Sequence, residues 1–264
     1  MPPVMTAFEF HMAFAFGAAE RSRDNGFDLT LLALRVPDDV VNHRPRVDGL
    51  LILEAMSEDP VVSRLRESGI PTVHVGRHHG PGPEPDGVIA VNHGAMFERL
   101  LDHLADRGAR TVGLLNPLDT FTSDWAIQVK AAQDRWQART GIPLRRRTIS
   151  SHIDPSEIED QVRALVLDDD VDAIVGVHAG SAAAAMATVR RLGLKPGKDV
   201  LVAAGVAVSN DALVGFDLTR IELRPREFGS SAAQFLIEIA THSVDVTAER
   251  THLAELVLGA STGC

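Results

Sequence analysis

Several histidines in this chain are candidates for metal binding or proton transfer. The sequence has 11 His, of which His78 and His79 are adjacent. Side chains of adjacent residues on an extended loop point to opposite sides, and no HExxH motif occurs. We therefore interpret this pair as solvated loop histidines and predict no metal site.

Three further patterns favour structural roles. Arg145-Arg146-Arg147 has no interleaved aromatic residues, which indicates a solvated edge strand and not a nucleic-acid site. Asp168-Asp169-Asp170 is typical of a solvated helix end. Ser181 is a candidate helix N-cap, and we expect no GxSxG nucleophile elbow in this chain. Neither GxGxxG nor GxxxxGK[ST] occurs, so we expect no cofactor and no enzymatic activity.

The composition is that of a globular protein with two cores. The chain has 264 residues, 45% of them hydrophobic, 5% aromatic and none of them Tyr. Its net charge of −10 excludes a basic DNA-binding footprint on this chain. Cys264 is the single cysteine. The N-terminus lacks a basic signal-peptide region, and no apolar run is long enough for a membrane span, so we expect a cytoplasmic protein without membrane contact.

Short apolar runs alternate with segments of helical periodicity along the whole chain. The clearest helical stripe is Phe228, Ala232, Phe235, Leu236 and Ile239. The predicted strands are Leu29–Leu34, Gly49–Leu53, Thr72–Val75, Val88–Val91, Thr111–Leu115, Arg146–Ser150, Ala173–Val177, Val200–Ala204, Ile221–Leu223 and Leu253–Leu258.

Helix boundaries agree with this alternation. Glycines follow five of the helical segments, where a left-handed C-cap is expected: Gly26, Gly69, Gly108, Gly141 and Gly193. Strand–helix–strand repetition with aliphatic strands predicts an α/β fold with doubly wound parallel sheets. Ten strands in one sheet is less favourable than two smaller sheets, so we expect two lobes with a ligand pocket between them.

Seven segments in this order resemble the effector-binding core of LacI/GalR-family transcriptional regulators. The resemblance runs from about Phe8 to the C-terminus, and no single segment is decisive. The segments are Val47–Leu53, Ser68–Arg77, Val91–Asn116, Val171–Leu194, Lys195–Gly205, Leu218–Ile239 and Leu253–Gly263.

The resemblance implies a type I periplasmic-binding-protein-like fold, with two Rossmann-like lobes joined by a three-stranded crossover hinge. The N-terminal lobe would comprise residues 1–109 plus 221–249, and the C-terminal lobe residues 110–220 plus 250–264. Family members also carry a helix-turn-helix headpiece and an opening core strand. We expect this chain to lack both, which would leave a gap in the first sheet.

The resemblance also implies a cleft, although the residues used by sugar- and purine-binding relatives differ here. Ala90 and Gly205 stand where relatives have Asp, which predicts a cleft poor in carboxylates. His93 and His178 follow strands, where ligand contact and helix capping are both open. Phe8 and Phe10 either stack on a ligand or pack in the core. The complete predicted cleft is Phe8, Phe10, Arg77, Asn92, His93, Asp119, Thr120, Lys130, His178 and Arg224.

These observations predict the ligand-sensing core of a transcriptional regulator. A small-molecule effector would bind between the lobes of a homodimeric repressor and control DNA binding through a headpiece absent from this chain. A periplasmic-type solute-binding protein is the alternative with the same fold. A doubly wound α/β enzyme is the other alternative, although no catalytic constellation is visible.

Overall fold

The computed structural model describes residues 5–32, 46–116, 122–150, 154–207, 217–243 and 248–263. The helices in these ranges are α1 (Met5–Asp24), α2 (Pro60–Arg66), α3 (His93–Asp106), α4 (Asp124–Thr140), α5 (Pro155–Leu167), α6 (Ala179–Arg191) and α7 (Pro225–Ala240). The strands are β1 (Leu50–Leu53), β2 (Thr72–Val75), β3 (Gly87–Ala90), β4 (Val112–Asn116), β5 (Leu144–Thr148), β6 (Ala173–Gly176), β7 (Leu201–Ala207), β8 (Thr219–Glu222), β9 (Ala248–Thr251) and β10 (Glu255–Val257). None of these helices is long and apolar enough to cross a membrane.

The strands form two separate sheets. The first has four strands in the order β1-β2-β3-β9, all parallel. The second has six strands in the order β10-β8-β7-β6-β4-β5 and is parallel except for β10. The predicted α/β class with two sheets is therefore confirmed.

Helices cover both faces of the second sheet. Successive residues of β4 point to opposite sides, so Leu114 belongs to the core beneath α3 and α4, and Leu115 belongs to the core beneath α5 and α6. Both side chains are fully buried. This is the doubly wound arrangement that the continuous aliphatic strands predict.

The first sheet lies between α2 on one face and the pair α1 and α7 on the other. α1 and α7 pack closely because each has a glycine at the contact. A Cβ added to Gly17 would lie 1.9 Å from the carbonyl oxygen of Arg226, and one added to Gly229 would lie 1.9 Å from that of Phe14. The two backbones approach more closely here than any residue with a side chain allows.

The chain passes between the sheets three times, and the three crossings lie side by side. They follow β3 at Val91 and Asn92, β8 at Leu223 and Arg224, and β9 at His252. The backbone N–H of His252 donates to the carbonyl of Ala90 at 2.9 Å, and its Nε2 donates to the carbonyl of Leu223 at 2.9 Å. One buried histidine thus joins all three crossings, which form the predicted hinge.

The first crossing precedes α3 because α3 packs on β7, β8 and β10 of the second sheet. The family resemblance implied this crossing near Arg110, at the end of α3. The contacts of α3 favour the earlier position, and the predicted lobe boundaries stay a prediction.

Most predicted strands are confirmed within a few residues, but two regions differ. Residues 29–32 of the predicted strand Leu29–Leu34 have no regular structure, and the rest of it lies outside the described residues. Leu29, Leu31 and Leu32 are exposed, and β1 is the edge of its sheet among the described strands. β9 was not predicted, because the polar sequence of Ala248–Thr251 lacks an apolar run.

The predicted helix ends are mostly confirmed. All five glycines expected at C-caps have a positive φ, and Asp154 caps Pro155 at the start of α5. Ser181 is the exception, because α6 begins two residues earlier, after His178. The Ser181 hydroxyl instead donates to the carbonyl of His178 at 2.8 Å.

Candidate functional site

A narrow cavity lies where the two sheets face each other beside the hinge. Glu54 and Arg77 come from loops after β1 and β2, His93 begins α3, and Asp124 begins α4. These positions lie at the carboxyl ends of strands or at the helices that follow them, where α/β sheets place ligands. The cavity has a volume of about 20 Å³, which is room for about one water molecule.

Aromatic side chains form the apolar part of the wall. Phe10 from α1 and Phe228 from α7 make an edge-to-face contact, with ring centroids 6.5 Å apart. Trp125 lies opposite them on α4 and contacts the ring of His178, with centroids 5.2 Å apart. Aromatic faces of this kind pack against the apolar faces of small ring-shaped ligands.

Two carboxylates line the cavity, so the prediction of a cleft poor in carboxylates is wrong. Asp124 is buried and accepts hydrogen bonds from His79 Nε2 at 2.8 Å and from Gln128 Nε2 at 2.8 Å. Glu54 has a left-handed backbone with φ of 48°. The prediction considered only the positions used by relatives, whereas these carboxylates come from other positions.

His93 and His178 are both uncharged at neutral pH. Burial lowers the pKa of each imidazole to about 4, although the nearby charge of Glu54 acts in the opposite direction on both. A neutral imidazole has one donor and one acceptor nitrogen, so each ring can bind a hydroxyl group in either sense.

Arg77 is held by an ion pair within the first sheet's lobe. Its Nη2 donates to Glu249 Oε2 at 2.6 Å, and its Nη1 donates to Glu249 Oε1. This pairing raises the pKa of Arg77 and lowers that of Glu249. The guanidinium therefore lines the cavity with its charge already balanced and its orientation fixed.

Two polar contacts join the loops of the first sheet to the start of α4, and we call them the latch. One is the His79–Asp124 hydrogen bond. In the other, Ser57 Oγ donates to the carbonyl of Thr122 at 2.6 Å, and the backbone N–H of Ser57 donates to Thr122 Oγ1 at 3.3 Å. Because Asp124 also lines the cavity, the latch joins the two lobes at the cavity wall.

The structure brings together some of the predicted cleft residues. Phe10, Arg77 and His93 line the cavity, and His178 contacts its wall through Trp125. Three other predicted residues fall elsewhere, and three are not described. Asn92 caps α3, Lys130 is exposed on α4, Arg224 lines a different cavity, and the Phe8 side chain, Asp119 and Thr120 lie outside the described residues.

Both His78 and His79 lie in a loop as predicted, and His79 is exposed, but each histidine also has specific partners. Arg66 Nη1 donates to His78 Nδ1 at 2.9 Å, His78 Nε2 donates to the carbonyl of Met56 at 3.1 Å, and His79 binds Asp124. His74 lies four residues before His78, and the two rings are 5.8 Å apart. In the described part of the chain, no three His, Cys, Asp or Glu side chains are grouped as a metal would require.

Gly259–Gly263 matches the GxSxG pattern, which the sequence-based expectation of no such elbow missed. Ser261 is buried, and its hydroxyl donates to the carbonyl of Val202 at 2.6 Å and accepts from the backbone N–H of Thr219 at 2.8 Å. This serine joins β7 to β8 and has a structural role.

Comparison with known proteins agrees with the fold. A family model described as a periplasmic binding protein-like domain matches residues 101–262. The chain therefore belongs to the periplasmic-binding-protein-like domain family. No curated protein matches it in sequence.

Several solved structures share this fold at low sequence identity. A LacI family transcriptional regulator from Bifidobacterium animalis subsp. lactis has a TM-score of 0.80 and 17% identity over 97% of this chain and 94% of its own. The transcriptional regulator CelR in complex with cellobiose has a TM-score of 0.78 and 18% identity over 96% and 79%. A periplasmic binding protein/LacI transcriptional regulator from Alkaliphilus metalliredigens, complexed with D-xylulofuranose, has a TM-score of 0.71 and 16% identity over 95% and 93%. The expected resemblance to LacI-type effector cores is thus confirmed for the fold.

Proposed function

We propose that this chain is the ligand-sensing core of a transcriptional regulator, with a small-molecule effector bound between its lobes. The observation that carries the proposal is the cavity itself. Its aromatic and ionisable side chains come from both sheets, and it lies directly against the hinge. A ligand in that position contacts both lobes at once, so it favours the arrangement in which both sets of contacts form.

The chemistry of the wall favours a polyhydroxylated effector of sugar size. Glu54 and Asp124 supply acceptors for ligand hydroxyls, and His93 supplies one donor and one acceptor. Phe10, Trp125 and Phe228 supply apolar surface for the ring. Two of the proteins with the same fold are complexed with cellobiose and D-xylulofuranose, which supports this class of effector.

The cavity is too small for a sugar, so binding requires the lobes to separate and close again. Separation breaks the latch at Ser57 and His79 while the three crossings stay intact. The lobes would be the N-terminal and C-terminal segments predicted above, with the first crossing moved to Val91 and Asn92. The effector shifts this equilibrium only by its different affinity for the open and closed arrangements.

Control of DNA binding requires a DNA-binding segment in addition to this effector core. We propose a cytoplasmic homodimer that represses transcription through DNA-binding headpieces. The acidic chain itself, with a net charge of −10, is not suited to bind DNA. Closure of the lobes would change the relative position of the two headpieces.

Isothermal titration calorimetry with a panel of mono- and disaccharides, including cellobiose and D-xylulose, tests the proposal. We expect at least one saturable ligand whose affinity falls at least tenfold in Trp125→Ala. Lys130→Ala, on the exposed face of the same helix, is the matched control and should change the affinity less than twofold. Binding that is insensitive to Trp125→Ala contradicts the proposed site.

A further inference from the structure

A second and larger cavity lies on the other side of the hinge. Its volume is about 460 Å³, which is within the range typical of small-molecule sites. Its walls come from α1, α7, the end of β9 and two of the three crossings. The Phe228–His252 ring pair separates the two cavities, because Phe228 lines the first and His252 lines the second.

The wall of the second cavity is positively charged, although the whole chain is acidic. Arg21, Arg224 and Arg250 line it, and Glu227 is the only acidic residue among its described lining residues. Arg250 also donates to Glu238, which offsets part of its charge. One positive charge remains in excess after both glutamates are counted.

The three guanidinium groups are only partly satisfied by protein acceptors. Arg21 Nε donates to Ser230 Oγ at 3.1 Å, and Arg224 Nη2 donates to the carbonyl of Leu253 at 2.8 Å. Both partners are uncharged. Arg224 Nε is buried and has no hydrogen-bond partner among the described residues. A buried donor without a partner is costly, so its retention points to a ligand.

We propose that the second cavity binds a phosphorylated small molecule through its phosphate group. The three arginines reach the cavity from α1, a crossing and β9, so they approach from different directions. A tetrahedral phosphate can accept from all of them, whereas a planar carboxylate has only two oxygens. Arg224 immediately precedes α7, whose N-terminal dipole also favours an anion. Ser231 and Gln234 can bind hydroxyl groups on the rest of the ligand.

Calorimetry at fixed ionic strength with glucose 6-phosphate, inorganic phosphate and glucose tests this inference. We expect that glucose 6-phosphate binds saturably and that inorganic phosphate binds more weakly. Added glucose should change the affinity for neither ligand. Arg21→Gln and Arg224→Gln should each weaken glucose 6-phosphate binding about tenfold, the effect of losing one charge-assisted hydrogen bond.

Two controls separate the second cavity from general charge effects and from the first cavity. Arg23→Gln removes an exposed arginine of α1 that pairs with Asp24, and should change the affinity less than twofold. Trp125→Ala should also leave it unchanged. The inference is overturned if neither glucose 6-phosphate nor inorganic phosphate binds saturably at concentrations up to about 10 mM. It is also overturned if Arg23→Gln weakens binding as strongly as Arg21→Gln, or if Trp125→Ala abolishes binding. If Arg224→Gln does not fold, Arg21→Gln still provides the test. The Arg21 side chain is exposed and hydrogen-bonds only to Ser230 among the described residues, so its loss should not unfold the protein.

Discussion

The imidazole of His252 stacks on the ring of Phe228, with centroids 4.2 Å apart and an angle of 6° between the planes. The same imidazole donates to the carbonyl of Leu223, and burial lowers its pKa. The stack therefore joins α7 of the first lobe to the crossings that lead into the second. His252 is the structural centre of the hinge.

Replacing His252 should weaken the hinge. His252→Ala removes the stacked ring and leaves the carbonyl of Leu223 without its donor, so we expect the free energy of unfolding to fall by about 2–4 kcal/mol. Urea unfolding monitored by circular dichroism measures this change. His242→Asn, at an exposed position with φ of 54°, should stay within about 0.5 kcal/mol. Equal losses in the two variants would argue against a special role for His252.

The close contact between α1 and α7 should not tolerate a methyl group. Gly17→Ala and Gly229→Ala each place a Cβ against a backbone carbonyl, so we expect a loss of more than about 2 kcal/mol in each. Phe16→Ala is the control on α1, because Phe16 is 60% exposed and should change stability little. A loss below about 0.5 kcal/mol in both glycine variants would show that the helices can move apart.

His74 should make the protein less stable in weak acid. It is fully buried on β2, neither ring nitrogen has a partner among the described residues, and its pKa is lowered from 6.5 to about 4 by burial and by Arg66. The unfolded chain therefore binds a proton below about pH 6.5 that the folded chain does not, and stability falls as the pH falls. The contribution of this histidine between pH 7 and pH 5 is about 2 kcal/mol.

His74→Leu provides the test of this pH dependence. It removes the titrating ring and two unpartnered polar atoms, so it should stabilise the protein at pH 5 more than at pH 7. Urea unfolding of both proteins at the two pH values measures the difference. His93 and His178, whose pKa values are also about 4, stay in the variant and should preserve part of the acid sensitivity. An unchanged pH dependence would mean that His74 is not buried as described.

The latch should set the balance between closed and open lobes. The double variant Ser57→Ala, His79→Ala removes the side-chain contacts of the latch, each worth about 0.5–1 kcal/mol, and should raise the open fraction roughly five- to thirtyfold. Small-angle X-ray scattering should show a larger radius of gyration without ligand. Ser63→Ala, in a loop contact of the first lobe alone, is the control. A radius that stays the same in the double variant would place the closing contacts elsewhere.

The sequence predicts the fold well because the fold depends on repeated local signals. Aliphatic strands such as β4 and β6 are buried on both faces, so their residues are apolar without interruption, and glycines mark the helix ends. β9 lacks these signals because it is a polar edge strand. The segment Leu29–Leu32 has the signals but no neighbouring strand in the described residues, so its residues stay outside the sheet.

The cavity was harder to predict because it is assembled from loops of different strands. Glu54, Asp124 and Trp125 have no sequence pattern that distinguishes them from other loop residues. His93 could be predicted because it follows the carboxyl end of a strand, where a ligand cleft is expected. Arg224 was predicted in the first cavity, but it follows β8 at a crossing and its side chain lines the second cavity.

The fluorescence of Trp125 tests the central claim, a small-molecule site between two hinged lobes, most directly. The chain has 2 Trp, and Trp136→Phe leaves Trp125 in the cavity wall as the sole reporter. Titration with a sugar identified by calorimetry should change its emission saturably, with the same dissociation constant. A sugar that binds by calorimetry but leaves the Trp125 emission unchanged would contradict a site between the lobes.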